Sequence, residues 1–380
     1  MKTLSIFGST GSIGKNSIAV IKQNPDKFKV KTLVAKNDVD TLISQALDLH
    51  PEYVVIENKA NYAQLKNALA PKINTQILSG FEAVIEVAKI KYDLMISAIV
   101  GAAGMIPTMQ AIQAGTNIAL ANKESLICAG NFMLAEAQKN HVKIIPIDSE
   151  HNAIFQIFEN NNIELIDEII LTASGGPFFH SSKDFSQITV NEALKHPKWQ
   201  MGAKISIDSA TMMNKGLEMI EAYYLFPLNK KQINILIHPQ SIIHGIVNYA
   251  DGSTIAMMSV PDMKVPISFA LNYPTRSRLT HQKLDLANLN KLEFFAADYH
   301  KFPALKICQE ALEQEGNSLV IVNASNEVAV NKFLTNQITF DKITQIVSAC
   351  LNKIPFRQLN SIDEVIACDI EVRNIANQMT

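Results

Sequence analysis

The first fourteen residues narrow the choice of fold more than any other stretch of the chain. Lys2 to Phe7 is a short apolar run of strand character, it feeds Gly8-Ser9-Thr10-Gly11-Ser12-Ile13-Gly14, and a helical pattern follows over Ser17 to Gln23. A strand, a glycine-rich turn and a helix N-terminus in that order make a phosphate cradle. The glycines let the backbone approach a pyrophosphate, and the unpaired N–H groups of the first helical turn face it. The spacing is GxxGxxG, with Thr10 where the common dinucleotide fingerprint has its second glycine, so the match is a variant. A tight strand-to-helix turn that binds nothing is the plain alternative.

Alternation of strands and helices then continues. Strands are expected at Phe28–Ala35, Tyr53–Glu57, Thr75–Leu78, Asp93–Ile99, Asn117–Ala121 and in a run ending at Asp148. Helices are expected near Ala60–Ala70, Phe81–Ala88, Ile106–Ala114 and Ser125–Asn140. This order predicts an α/β fold with an N-terminal Rossmann-like, doubly wound parallel sheet. Ligands of such sheets bind beyond the carboxyl ends of the strands. Gly8–Gly14, Lys36-Asn37, Gly101–Gly104, Asn122-Lys123-Glu124 and Asp148–Glu150 therefore line one rim. NAD-specific folds offer an acid to the ribose 2′-hydroxyl after the second strand, whereas this chain has Lys36-Asn37, a basic and an amide side chain suited to a 2′-phosphate. That favours NADP, with Asp38 and Asp40 close by.

The run Ile144-Ile145-Pro146-Ile147-Asp148-Ser149-Glu150-His151 ends in two carboxylates one residue apart. In a strand, side chains at i and i+2 point the same way, so Asp148 and Glu150 converge if the extended conformation persists that far. Hard oxygen donors of this kind suit Mg²⁺ or Mn²⁺. Read alone, they are as well two solvated acids before a helix starting near Asn152, with Ser149 or Asp148 as its cap.

Beyond residue 152 a helix over Ala153–Glu159 and a strand Glu168–Thr172 lead to Ala173-Ser174-Gly175-Gly176-Pro177, whose hydroxyl and unobstructed backbone donors suit phosphate. His196-Pro197-Lys198-Trp199-Gln200-Met201-Gly202 holds the single tryptophan in a segment without clear periodicity. Such a loop can fold over a ligand, or Trp199 simply anchors it to the core. Lys204–Ile207 reads as a strand, and a helix from about Ser209 would put Asn214, Lys215 and Glu218 on one face, either around a ligand or as a surface ion pair. Strands at Ile233–Ile237, Ile242–Tyr249 and Thr254–Val260 predict a central α+β domain. Thr275–Phe295 is polar, like a linker. Helical spacing over Ala304–Glu313, Ser325–Asn336, Phe340–Lys353 and Ile362–Gln378 predicts a C-terminal helical bundle.

At 47% hydrophobic residues over 380 positions the chain can build a sizeable core, and its formal charge of −2 gives no footprint for nucleic acid. The four widely spaced cysteines suggest reduced thiols, and no apolar run approaches the ~18 residues needed to span a bilayer. A cytoplasmic location is expected, with no nucleic-acid or membrane partner. No activated serine or cysteine nucleophile with a matching base is evident.

Taken in order, Gly8–Gly14, Ala121-Asn-Lys-Glu-Ser125, Ile147-Asp-Ser-Glu-His151, Ser174-Gly-Gly-Pro-Phe178, His196–Gly202, Asp208–Glu218 and Ile237-His-Pro-Gln-Ser-Ile-Ile-His244 closely resemble the 1-deoxy-D-xylulose 5-phosphate reductoisomerase family over essentially the whole chain. One departure is Ala35, where glycine is frequent in the family. The resemblance implies a homodimer in isoprenoid precursor biosynthesis that rearranges 1-deoxy-D-xylulose 5-phosphate and reduces it to 2-C-methyl-D-erythritol 4-phosphate. It implies an NADPH domain over residues 1–147, a catalytic, metal-binding and dimerisation domain over 148–274, a linker over 275–297 and a helical domain over 298–380. It further implies that Asp148, Glu150 and Glu218 hold one divalent cation, Mn²⁺ or Mg²⁺, with Co²⁺ a further candidate. Lys123, Ser149, Glu150, Ser174, His196, Trp199, Ser209, Asn214, Lys215 and Glu218 would line the sugar phosphate, with Lys123, Glu150, His196 and Lys215 as the catalytic members. NADPH would lie on Thr10, Gly11, Ser12, Ile13, Ala35, Lys36, Asn37, Asn122, Glu124 and Gly202. The metal would act as Lewis acid on the ketone and hydroxyl oxygens, and hydride from NADPH would reduce the aldehyde intermediate in place. Two other readings stay open: another NADP-dependent Rossmann dehydrogenase without a metal, and a non-catalytic dinucleotide sensor.

Overall fold

Seven short apolar strands pair in parallel to form the N-terminal sheet of this computed structural model, which describes residues 1–199 and 201–379; Gln200, inside the expected lid loop, and Thr380 lie outside the described residues. The strands are β1 (Lys2–Phe7), β2 (Phe28–Ala35), β3 (Tyr53–Ile56), β4 (Gln76–Ser79), β5 (Leu94–Ser97), β6 (Asn117–Leu120) and β7 (Ile144–Pro146), in the order β4-β3-β2-β1-β5-β6-β7. The connecting helices are α1 (Ser12–Lys22), α2 (Val39–Leu49), α3 (Tyr62–Leu69), α4 (Phe81–Ala88), α5 (Met105–Gln113) and α6 (Lys123–Lys139). Strand order reverses between β1 and β5, which puts the expected binding crevice at the carboxyl ends of those two strands. Leu4, Ile6, Leu33, Val54, Val55 and Ile96 are fully or almost fully buried, as in a sheet covered on both faces.

Three expectations change here. Helix α1 begins at Ser12, not Ser17, so the glycine-rich turn itself forms the helix start. Strand β7 stops at Pro146 and α7 (Ser149–Ile157) begins three residues later. Asp148 precedes that helix and Glu150 lies in its first turn, so strand alternation does not bring the two carboxylates together. The apolar run Ile144–Ile147 masked a helix start signalled by Asp148-Ser149.

By compactness the chain divides into two units. One comprises residues 1–125, 133–152 and 262–281, and the other 126–132, 153–261 and 282–380. This differs from the division at 147, 274 and 297 read from the sequence. The second unit is built on a five-stranded sheet of β8 (Ile166–Ala173), β9 (Ile233–Ile237), β10 (Ile243–Tyr249), β11 (Thr254–Met258) and β12 (Phe295–Ala296), ordered β11-β10-β8-β9-β12. Before β9 come α8 (Val190–Ala193), α9 (Ala203–Ala210) and α10 (Met213–Leu225). One face of the sheet, with Ile169, Leu171, Ile235 and Val247, packs into a core shared with α10 and the C-terminal helices. The other face carries a small cluster of Ile170, Ile243 and Ile246.

The expected strand at Lys204–Ile207 is part of α9. The alternation Lys-Ile-Ser-Ile-Asp-Ser mimics a strand, but Ser206 and Asp208 are buried along with Ile207, and Lys204 pairs with Asp208 one helical turn on at 3.0 Å. Helix α11 (Lys264–Asn272), unforeseen in the sequence, belongs to the first unit and packs on α1. The polar stretch after it holds α12 (Leu286–Leu289) and β12, and the chain ends in α13 (Pro303–Gln314), α14 (Asn317–Leu334), α15 (Lys342–Lys353) and α16 (Ile362–Asn377). All four cysteines are free and buried, and among the described residues no helix is long and apolar enough to cross a membrane.

Candidate active site

In the first unit, all five expected rim segments lie at strand carboxyl ends. Gly8 leaves β1 at φ 91°, and a Cβ there would lie 2.3 Å from the carbonyl oxygen of Ala98, so only glycine lets β1 and the end of β5 come this close. Gly11 occupies the N-cap of α1 without any side-chain cap, which leaves the first N–H groups of that helix for an anion. Gly11 and Ser12 are exposed, while Thr10 and Ile13 are half-buried beside them. The cradle therefore suits a pyrophosphate.

Ala35 ends β2, and the ladder continues past it: Glu57 N–H donates to Ala35 O and Asn58 N–H to Lys36 O, at 2.8 and 3.0 Å. Lys36 and Asn37 are exposed; Lys36 pairs with Glu57 at 3.3 Å, and Asn37 Oδ1 accepts from Asn58 Nδ2 at 3.1 Å. Sequence reasoning missed Glu57 and Asn58, because nothing local says that the end of β3 lies beside the end of β2. An exposed pair of this kind is worth about 0–1 kcal/mol, so Lys36 is readily drawn to a phosphate.

Asn122 knits the rim together. Buried at the N-cap of α6, it donates from Nδ2 to the carbonyl oxygens of Ile99 and Gly101 and to Glu124, and its Oδ1 accepts from Ser125 N–H. The adjacent Lys123 ammonium lies 2.6 Å from Asp148, with both side chains almost excluded from solvent, and His151 Nδ1 lies 3.7 Å from the same carboxylate. Ser149 Oγ donates to Glu150, which is half-buried in the first turn of α7.

In the second unit, Ser174 follows β8 and opens a turn through Gly175 and Gly176, both left-handed. A Cβ on Gly176 would lie 2.6 Å from Ser209 O, so the turn seats against the last turn of α9. His196 Nε2 is 2.9 Å from Ser174 Oγ, and burial pulls this imidazole down to about 4. Trp199 is half-buried, edge to face with His244 at 6.2 Å between ring centres. Gly202 is the exposed N-cap of α9.

A left-handed Met212 turns the chain from α9 into α10, whose first turns carry Asn214, Lys215 and Glu218. Asn214 Nδ2 donates to one oxygen of Glu218 and Lys215 Nζ to the other. Lys215 and Glu218 are buried, which excludes the surface ion pair. A second buried acid went unnoticed: Asp208, on α9 beside Ser209, accepts from Asn326 Nδ2 at 2.8 Å and pairs with Lys204. Its signal, Lys and Asp four apart, is visible only once this segment is read as a helix.

Each unit thus presents a carboxylate of low exposure paired with a lysine, together with a glycine turn whose donors suit an anion. Models of 1-deoxy-D-xylulose 5-phosphate reductoisomerase match residues 4–130, those of its C-terminal domain match residues 144–226, and those of the DXP reductoisomerase C-terminal domain match residues 258–375. The chain belongs to the 1-deoxy-D-xylulose 5-phosphate reductoisomerase family. A reductoisomerase of this family from Rhodospirillum centenum is 43% identical over 380 residues, covering 100% of this chain and 94% of the relative. One from Ehrlichia canis is 44% identical over 383 residues, covering 99% and 98%. Among solved reductoisomerases, that of Zymomonas mobilis in complex with NADPH superposes with a TM-score of 0.92 at 40% identity, covering 99% of this chain and 97% of that one. Another, in complex with NADPH, fosmidomycin and magnesium, gives 0.94 at 41% identity, with the same coverage.

Proposed function

We propose that this chain carries out the reaction for which its family is named, the rearrangement and NADPH-dependent reduction of 1-deoxy-D-xylulose 5-phosphate to 2-C-methyl-D-erythritol 4-phosphate. The observation that carries this reading is the full-length match to reductoisomerases, one of whose solved structures holds both NADPH and magnesium. Neither a metal-free dehydrogenase nor a dinucleotide sensor accounts for it.

NADPH is assigned to residues of the first unit together with Gly202. The uncapped start of α1, with Thr10, Gly11, Ser12 and Ile13, takes the pyrophosphate; Ala35, Lys36 and Asn37 take the 2′-phosphate; Asn122, Glu124 and Gly202 complete the set. Asp148, Glu150 and Glu218 are the assigned ligands of one divalent cation, and an all-carboxylate set fits Mg²⁺ or Mn²⁺. When bound, the ion supplies Lewis acidity to the substrate's ketone and hydroxyl oxygens, and NADPH supplies the hydride. Lys123 and Lys215 pair with Asp148 and Glu218 and offer protons or positive charge to the reacting oxygens. Ser149 and Glu150 face the sugar carbons. Ser174, Ser209, Asn214 and Lys215 take the phosphate, with His196 beside Ser174, and Trp199 covers the carbon skeleton and excludes water.

In this reading residues 1–147 bind cofactor, 148–274 bind metal and substrate and form a homodimer, and 275–297 link to a helical domain over 298–380. Leu236, Ala256, Met258 and Leu292, partly buried hydrophobics packed over Ile170, Ile243 and Ile246 on the outer face of the second sheet, leave apolar surface that suits a dimer contact. The protein works in the cytoplasm. Oxidation of NADPH by the purified protein, dependent on both the pentulose phosphate and a divalent cation, tests the reading; a rate insensitive to either would reject it.

A further inference from the structure

The imidazole of His196 connects two parts of the second unit. Its Nδ1 accepts from the backbone N–H of Lys198 at 3.1 Å and from that of Trp199 at 2.8 Å. A ring nitrogen that accepts carries a lone pair, so the proton of the neutral ring sits on Nε2. That nitrogen lies 2.9 Å from Ser174 Oγ and therefore donates to it. Gly176 N–H donates to the same oxygen at 3.2 Å, and its direction is fixed by the left-handed turn packed on Ser209. A hydroxyl oxygen has two lone pairs and one hydrogen. Both lone pairs are engaged, and among the described residues Ser174 Oγ has no third partner. Its hydrogen is left to point away from His196 and Gly176.

We infer that His196 is a positioning residue which, as the neutral Nε2–H tautomer set by the backbone of Lys198 and Trp199, turns the Ser174 hydroxyl into an obligate donor to the anionic end of the substrate. The inference deepens the proposed function and rests on its reading of the Ser174 turn as the phosphate pocket. Its chemistry is a matter of polarity. Phosphate oxygens only accept hydrogen bonds, so a serine presenting a lone pair would repel them, and the opposite histidine tautomer would produce that arrangement. An imidazolium at this place would aim a second N–H at two backbone N–H groups, so geometry and burial both oppose protonation. The lid segment and the phosphate pocket are thereby linked: displacing residues 198 and 199 frees the tautomer and with it the polarity of Ser174.

Two measurements test this. In protein labelled with ¹⁵N-histidine, with His196→Asn to assign the signal among the nine histidines, His196 is expected to show an unprotonated Nδ1 and a protonated Nε2 at neutral pH. Saturation with inorganic phosphate should leave that pattern unchanged. A protonated Nδ1, or conversion to imidazolium when phosphate binds, overturns the inference. The second measurement is a double-mutant cycle on the KM for the pentulose phosphate. Ser174→Ala and His196→Leu should each raise KM about tenfold without changing the Kd for NADPH, and the double variant should be no worse than either single one. Losses that multiply would mean that His196 contacts phosphate by itself, and would overturn the inference. Should the protein fail to turn over the pentulose phosphate at all, the proposed function fails, while the tautomer is still decided by the spectrum.

Discussion

The Lys123 ammonium and the Asp148 carboxylate meet at 2.6 Å with only 6% and 13% of their side chains exposed. Removing one partner of such a pair leaves an uncompensated buried charge, at a cost of about 3–5 kcal/mol. Lys215 and Glu218 repeat the arrangement in the second unit. Each of the two carboxylates assigned above to the cation is thus already paired with a lysine ammonium.

Lys123→Met should therefore lower the melting temperature in the presence of a chelator, and added Mg²⁺ or Mn²⁺ should recover part of the loss by binding only the folded state. Thermal unfolding with and without the ion checks this. A variant as stable as the parent under chelation would show that Asp148 does not depend on Lys123.

Glu218→Gln and Asp148→Asn should each abolish turnover while leaving the Kd for NADPH within about twofold, since the dinucleotide is assigned to other residues. Fluorescence titration of the reduced nicotinamide gives the Kd. A parallel collapse of NADPH binding would contradict the separation of the two sites.

Lys36→Ala should weaken NADPH by about tenfold or more and NADH far less, because charge-assisted contacts to a 2′-phosphate contribute about 1.5–3 kcal/mol. Glu57 holds Lys36 only across an exposed 3.3 Å pair, so that contact does not compete strongly. Equal losses for the two cofactors would remove Lys36 from the 2′-phosphate site.

Burial holds the His196 and His244 imidazoles near 4, well under their usual 6.5. Between those values the unfolded chain takes up protons that the folded chain refuses. Stability from this source is thus fully present above pH 6.5 and is lost as pH falls towards 4. The melting temperature should drop over that window, and His244→Gln should flatten the drop. An unaltered slope in the variant would show that His244 is not a source of it.

Much of this was legible in the sequence because local signals and tertiary demands agreed. Strands β1 and β2, helix α4 and strand β9 fall at their expected bounds, since apolar runs there are flanked by turn residues and no competing period exists. Asn214, Lys215 and Glu218 were legible too, as i, i+3 and i, i+4 spacing is a property of the helix itself. The misreadings came where two periods compete. Lys204–Ile207 alternates like a strand yet lies on α9, where Asp208 is buried against the distant Asn326 and Ser206 bonds back to Gly202 O one helical turn away. Asp148 and Glu150 do offer carboxylate oxygens within 4.8 Å of one another, but at a helix start and not along the strand, which ends at Pro146. Glu57 was invisible, since its contact depends on which turns the fold sets side by side, and the two bonds on His196 were missed because they rest on a local turn of the loop that no periodicity announces.

Trp199 offers a local check on the lid. Its ring is half-buried and touches His244, and the chain has no other tryptophan. Its emission should change when a substrate analogue binds with metal, and Trp199→Ala should cut kcat/KM while moving the melting temperature little. A sharp fall in melting temperature, with activity following the folded fraction, would make Trp199 a core anchor instead.

The central claim is tested most directly by following the loss of reduced nicotinamide absorbance in protein stripped of metal. With NADPH and 1-deoxy-D-xylulose 5-phosphate alone no oxidation is predicted, and adding Mg²⁺ or Mn²⁺ should start stoichiometric oxidation with formation of 2-C-methyl-D-erythritol 4-phosphate. Full-rate oxidation under chelation, or none with the ion present, would contradict the account.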